Sequence, residues 1–220
     1  MAELERAGLA FCGAPDGIGL YGMPAGDWYA AGVRIAGRTC VEAALNGPSR
    51  RVAETVRRSL APVTTLDRIG VVDLFAGSGN LMLHVRDVLG TSCVGMDADP
   101  VVFELTRGNL GVLDLPASMR LGSWASYFLD PLPDVDATLF VLAPPWGPAF
   151  SFDRGLDLRR TNPPVGELVE HITRSDRSGR RFAVIQLPVH EPVVAASVRE
   201  LTKRYRQLDR AVGCLVLDLT

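Results

Sequence analysis

From residue 69 to the end, the sequence predicts a doubly wound α/β domain with a mostly parallel sheet and helices on both faces. Three observations carry that prediction. Runs of strand length such as IGVVDLF, DATLFVLA and RRFAVIQLP are almost continuously apolar, as strands buried on both faces must be. Amphipathic segments of helix length alternate with them, the arrangement of a sheet layered between helices. No linker-like break, internal repeat or low-complexity tract divides the chain, so one domain with an extension in front is expected.

The extension is assigned residues 1–62 and the domain residues 63–220. Up to residue 47 the chain is glycine-rich, with Phe11, Tyr21, Trp28 and Tyr29 interleaved. That mixture predicts irregular structure without long helices, yet it is too aromatic for a disordered tail. A short helix is expected in RTCVEAALNG, closed by Gly47. PSRRVAETVRRSLAP predicts a firmer helix: Ser49 can cap it, Val52, Ala53, Val56 and Leu60 form one apolar stripe, and Pro62 stops it. Arg50, Arg51, Arg57 and Arg58 fall on the opposite side as a solvated face.

Within the domain, IGVVDLF is the first strand, AGSGN its exit turn and LMLHVRDVLG the first helix. TSCVGMD and PVVFELTRGNLG repeat the pattern, MRLGS is a short third strand and DATLFVLA a fourth. VGELVEHITRS is a helix, RRFAVIQLP a fifth strand and PVVAASVRELTKRYRQ a long helix. LDRAVGCLVLDLT ends the chain as one strand or a tight hairpin.

Composition narrows the function classes. A hydrophobic fraction of 47% with 22% charged residues supplies a substantial core. A net charge of −2 gives no global field toward nucleic acid or anionic lipid. Cys12, Cys40, Cys93 and Cys214 are widely spaced without a C-x-x-C, and His84, His171 and His190 are isolated, so no metal site is expected. MAELERAGLAFCG has no basic start followed by an apolar stretch, and no run approaches ~18 apolar residues, so the chain reads as cytoplasmic with no membrane partner.

Two loops carry the chemistry. In VVDLFAGSGNLML, Gly77 and Gly79 bracket Ser78 between the end of a strand at Asp73 and a helix starting near Asn80. Glycine permits a tight turn and close approach of a ligand to the backbone, and the helix start offers free N–H groups. A dinucleotide fingerprint would need a third glycine where Met82 stands, and a pyrophosphate gains nothing from Asp73 beside it. A nicotinamide oxidoreductase is therefore disfavoured, and a cationic ligand suits the site better. Asp97, at the end of VGMDADP, stands where a carboxylate accepts from ribose hydroxyls, while Asp99 before Pro100 suits a helix cap.

DLFAGSGN followed by GMDADP resembles the first two motifs of class I S-adenosylmethionine-dependent methyltransferases, in the D-x-F-x-G-x-G form common among nucleic-acid amino-methyltransferases. The resemblance runs through about two-thirds of the chain, in the strand order from residue 69 onward. It implies a Rossmann-like methyltransferase sheet and S-adenosyl-L-methionine as cofactor. It also implies that Asp73, Gly77 and Gly79 line the methionine part and Asp97 the ribose. Phe75, Ser78, Asn80 and Ala98 complete that cofactor-binding set. The family usually carries an Asp in its third motif for the adenine amine. Here LGSW offers Ser123 as the acceptor and Trp124 to cover the ring.

The second loop is APPWGPAF. Consecutive prolines fix φ near −65° and cannot donate to the ladder, which leaves the carbonyls of Ala143 and Pro144 pointing outward at the strand end. It resembles the amino-methyltransferase fourth motif, and PPWGPAF is similar to that of the trimethylguanosine synthases. The resemblance implies Ala143, Pro144 and Trp146 as the catalytic group, with Pro145, Trp146 and Phe150 against the substrate. Two departures stand out: Ala143 replaces the usual Asn, Asp or Ser, and one glycine of the usual Gly-Gly-Pro is missing. The N-terminal extension, with Trp28 and Tyr29, is expected to close over the pocket.

The favoured expectation is methylation of a small planar substrate, a heteroaromatic or amine-bearing compound. RNA remains open through the motif likeness and the basic TRSDRSGRR, with Arg174, Arg177, Arg180 and Arg181. A cofactor-binding homologue without activity also remains open, through Ser123 and Ala143. Oligomeric state is not legible.

Overall fold

The computed structural model describes residues 1–129, 135–175 and 179–220. The N-terminal extension holds α1 (Ala2–Cys12), α2 (Ala25–Ala30), α3 (Gly37–Glu42) and α4 (Asn46–Leu60). Then follow β1 (Ile69–Asp73), α5 (Asn80–Leu89), β2 (Cys93–Asp97), α6 (Pro100–Val112), β3 (Ser118–Leu121) and β4 (Ala137–Leu142). A small hairpin, β5 (Phe150–Ser151) and β6 (Gly155–Leu156), precedes α7 (Val165–Arg174) and β7 (Arg180–Gln186). The chain closes with α8 (Ala195–Arg204), β8 (Arg206–Ala211) and β9 (Cys214–Asp218).

The main sheet has seven strands in the order β3-β2-β1-β4-β7-β9-β8. β1 pairs in parallel with β2 and β4, β2 with β3, and β4 with β7; β9 runs antiparallel to both β7 and β8. This is a doubly wound, mostly parallel Rossmann-like sheet. Strand order reverses between β1 and β4, and a ligand crevice is expected outside the carboxyl ends of strands at such a switch point. The glycine turn leaves β1 there, and the proline corner leaves β4 beside it.

Alternation along the strands fills two cores. Val71, Leu139, Val141, Val184 and Val216 face one layer, against Val56 and Leu60 of α4 and Val85 of α5. Val72, Phe140, Leu142, Ile185 and Leu217 face the other, against Leu168 and Ile172 of α7 and Val198 of α8. Each such side chain, fully buried, stabilises by roughly 1.5–3 kcal/mol. Both faces are covered, which is why these strands read as unbroken apolar runs.

Several expectations needed correction. The extension is not devoid of longer helices, since α1 runs for 11 residues. α3 ends at Glu42 rather than at Gly47, which lies inside α4. Ser49 is not the cap of α4: that helix begins three residues earlier, and the Ser49 hydroxyl donates to the Ala44 carbonyl at 3.0 Å. α8 is shorter than the apolar pattern suggested. Pro192 and Val194 instead make backbone bonds to Leu156, and Arg206 already belongs to β8. The final segment is a hairpin, and Asp99 does cap α6, accepting from the amides of Val101 and Val102. Among the described residues no helix is long and apolar enough to cross a membrane, and no cluster of His, Cys, Asp or Glu is arranged to hold a metal ion.

Candidate active site

Gly77 and Gly79 adopt φ of 52° and 75°, left-handed conformations that glycine reaches without a Cβ penalty. A Cβ on Gly79 would come within 3.2 Å of Met82 and 3.3 Å of Thr106. A Cβ on Gly77 would meet nothing closer than the Phe75 carbonyl at 4.0 Å, so that face of the turn opens onto free space. The turn is fastened from behind: Thr106 donates to the Gly77 carbonyl at 2.6 Å, and the Ala76 amide donates to Met96 on β2 at 2.8 Å.

Two carboxylates flank it. Asp73 is buried at the end of β1, with the Phe75 amide donating to it at 3.0 Å. Burial pushes its pKa up to about 7; the Phe75 bond opposes this and the nearby Asp97 adds to it. Asp97 ends β2, half-buried, and accepts from Gly77 through Oδ2 at 3.1 Å and from Asp99 through Oδ1 at 2.9 Å. Burial raises its pKa as well, against those two amide bonds. Each of its oxygens keeps acceptor capacity for a further donor.

These groups open into a cavity of about 980 Å³. At the β1–β2 end it is lined by Asp73, Phe75, Gly77, Ser78, Asp97 and Ala98, with Ser123 and Trp124 beyond. Ser123 is exposed. Trp124 sits edge-on to His171, ring centroids 5.1 Å apart, which holds its indole in place. At the β4 end the lining passes to Ala143, Pro144, Pro145, Trp146 and Phe150. Pro144 is buried, and the rings of Trp146 and Phe150 lie 5.5 Å apart. No hydrogen bond among the described residues engages the carbonyls of Ala143 and Pro144, whereas the Pro145 carbonyl accepts weakly from the Asn162 amide at 3.5 Å. One concavity therefore joins the glycine turn to the proline corner.

Four expected contributors do not line the cavity. Trp28 is core: only 1% exposed, its indole N–H donates to the Ile18 carbonyl at 2.8 Å. Tyr29 does not line the cavity, and its ring carries the Arg34 guanidinium at 4.1 Å. Asn80 is buried behind the turn. Its Oδ1 accepts from the Tyr21 amide at 2.6 Å, and its Nδ2 donates to the Ala44 carbonyl at 2.6 Å and to Ser49. Gly79 shapes the turn without reaching the cavity surface. From the extension the cavity instead takes Phe11, Arg38, Thr39 and Glu42, and from the second half Phe152, Gln186 and Glu191. Phe11 stood among the extension's aromatics, but sequence offers no way to rank it above Trp28. Gln186 ends β7 and Glu191 lies in the loop that follows, neither within a motif.

The chain thus has a doubly wound α/β fold, with the glycine turn after β1 and the acid at the end of β2 beside the switch point of the sheet. No protein-family model and no curated protein sequence matches it. Similar solved structures include an rRNA methylase from Streptococcus thermophilus, 17% identical with a TM-score of 0.46, covering 75% of this chain and 94% of that one. They also include an RNA methyltransferase from Salinibacter ruber in complex with S-adenosyl-L-homocysteine, 16% identical with a TM-score of 0.40, covering 75% and 88%. Mitomycin 7-O-methyltransferase is 16% identical with a TM-score of 0.46, covering 77% of this chain and 53% of that one. Likenesses this distant leave the functional reading to the chain's own residues.

Proposed function

We propose that the chain is an S-adenosyl-L-methionine-dependent methyltransferase that N-methylates a small planar heteroaromatic or amine-bearing compound. The observation that carries the reading is the single cavity joining the Asp73–Gly77–Asp97 site to the Ala143–Trp146 corner. Its volume of about 980 Å³ is near the upper end of the ~300–1,000 Å³ of small-molecule sites, room for a cofactor with an acceptor beside it. The cofactor suits the donors present. Asp97 has acceptor capacity for ribose hydroxyls, the open face of Gly77 admits close approach, and buried Asp73 favours a cation over a pyrophosphate.

Bound there, the cofactor supplies an electrophilic methyl whose bond pair departs to sulfur. The chain's own part is positioning and exclusion of water. The carbonyls of Ala143 and Pro144 accept the hydrogens of the incoming nitrogen, which turns its lone pair toward the methyl. They also stabilise the positive charge that develops on that nitrogen. Trp146 gives the acceptor ring a stacking face. In this reading the Pro-Pro-Trp-Gly loop serves as in the trimethylguanosine synthases, with backbone carbonyls in place of the side-chain acceptor that Ala143 lacks.

A small acceptor is preferred to RNA because the described arginines of 173–181 are committed. Arg174 pairs with Glu170 at 2.6 Å, Arg180 with Asp218 at 2.7 Å, and Arg181 donates to the carbonyls of Ile172, Thr173 and Ser175. Arg177 lies outside the described residues.

Calorimetry with S-adenosylmethionine and, separately, NADH tests the cofactor. Binding of the first alone is expected, and Asp97→Ala should weaken it by roughly 1–3 kcal/mol, the worth of a charge-assisted acceptor. No binding of S-adenosylmethionine would sink the reading. Labelled methyl transfer into fractionated extract then separates acceptors: the label is expected in the small-molecule fraction and not in RNA.

A further inference from the structure

Resting on the methyltransferase reading, we infer that the acceptor is a planar ring system bearing, besides the nitrogen that is methylated, a protonated or hydrogen-bond-donating nitrogen and no anionic group, with Glu191 setting that preference. The acceptor end of the cavity has three kinds of surface. The first is aromatic. Trp146 and Phe150 lie 5.5 Å apart, and Phe150 and Phe152 lie 5.4 Å apart, edge to face. Phe152 is 79% exposed and Phe11, also in the lining, is 63% exposed. A flat ligand lying on the Trp146–Phe150–Phe152 cluster would cover the exposed Phe152 ring.

The second surface is polar and uncommitted. Gln186 and Asn162 line this end, and no hydrogen bond among the described residues engages either side chain. Both can accept from an amine.

The third surface is charge. Glu191 is a half-buried carboxylate in the lining, with no ion-pair partner among the described residues. Among the described residues lining the cavity the one cation is Arg38, which is held by Asp99 at 3.0 Å and faces Glu42 at 3.7 Å. Among the described residues an anionic acceptor would find no positive group here without an acidic partner, and it would face Glu191, a like charge. An ammonium or ring N–H⁺ would meet the opposite: a carboxylate to pair with and π-faces that attract cations.

The probes are a matched set titrated against the full chain by fluorescence, without cofactor: 9-aminoacridine, cationic near neutral pH; acridine, neutral; and acridine-9-carboxylate, anionic. We expect 9-aminoacridine to bind at least about tenfold more tightly than the carboxylate, with acridine between, in keeping with a charge-assisted pair. Glu191→Gln should narrow the spread at least about threefold, because the stacking surface remains while the charge at the acceptor end is gone and only Asp73 and Asp97 at the other end are left. Phe152→Ala should weaken all three by a similar factor and keep their order. Equal binding of amine and carboxylate to the native chain would overturn the inference, as would an unchanged spread in Glu191→Gln. Should Glu191→Gln fail to fold, the native order must collapse as salt rises; an order independent of salt refutes the role of charge. Since no cofactor is present, these outcomes are separate from the calorimetric test. A chain that ignores S-adenosylmethionine yet ranks the acridines as expected loses the methyl-transfer reading and keeps only a cation-selective site for planar rings at Glu191. A chain that binds the cofactor but does not rank them loses only this inference.

Discussion

At the scale of single residues, Asp73 is the group whose chemistry departs furthest from its type. Its carboxyl titrates at about 7 in the folded chain, against about 3.9 in an unfolded one. Between those values the folded state holds a proton that the unfolded state has lost. The stability this proton confers is fully present below about pH 4 and is lost as pH rises through 7. Asp97, raised in the same direction, contributes with the same sign. The melting temperature of the ligand-free protein should therefore fall between about pH 5 and pH 7.5, and Asp73→Asn should flatten most of that fall. A cationic ligand reverses the sign for Asp73, because it binds the ionised form. The stabilisation given by S-adenosylmethionine should consequently grow through pH 7 in the native chain and stay level in Asp73→Asn. Thermal melts across that range check both slopes; a native profile as flat as that of the variant would remove Asp73 as the titrating group.

At the scale of elements, the extension and the glycine turn are tied together, which the sequence did not disclose. Tyr21, at φ 54°, donates its hydroxyl to the Ser78 carbonyl at 2.5 Å and its amide to Asn80 at 2.6 Å. Asn80 also takes the Ala44 carbonyl, so the start of α5 is bound at two points to chain 35 and more residues away. Tyr21 is then a positioning residue for the turn. Tyr21→Phe should weaken S-adenosylmethionine binding by about 1 kcal/mol, the net worth of one hydrogen bond, with kcat little changed. Hydrogen exchange at 77–81 should quicken in the variant even without ligand. Calorimetry and exchange that match the native chain would leave Tyr21 as packing. The domain's elements were legible because its central strands β1, β4 and β9 are buried throughout and the chain leaves β1, β2 and β4 through turns marked by Gly, Asp or Pro. The extension was not legible, because its contacts are made one at a time, by side chains such as Tyr21, Trp28 and Arg38, and follow no period. Asn80 misled for a related reason: its position at a helix start reads as ligand-facing, whereas its bonds run backward into the fold.

At the scale of the whole molecule, the switch point of the sheet separates the two halves of the site. β1 and β2 hold the carboxylates and the glycine turn, while β4 and the loop after it hold the proline corner and its aromatic ring. In the proposed reading, cofactor and acceptor recognition are thus carried by different strands, and the two parts of the cavity adjoin where β1 pairs with β4. A change at the β4 end should then be felt by the acceptor and not by the cofactor. Trp146→Ala removes a stacking face worth ~1–3 kcal/mol for a base-like ring, so kcat/KM for the acceptor should fall about tenfold to a hundredfold. Trp146→Phe should recover part of the loss, since a smaller π-face remains. Affinity for S-adenosylmethionine should stay within about threefold in both variants, because no residue of the β1–β2 end is touched. Steady-state kinetics beside calorimetry separates the outcomes. A Trp146→Ala protein that loses cofactor binding in step with turnover would mean that the two ends are coupled through the loop. A folded variant with native turnover would mean that Trp146 only packs against Phe150, leaving the proline corner to act through its carbonyls alone.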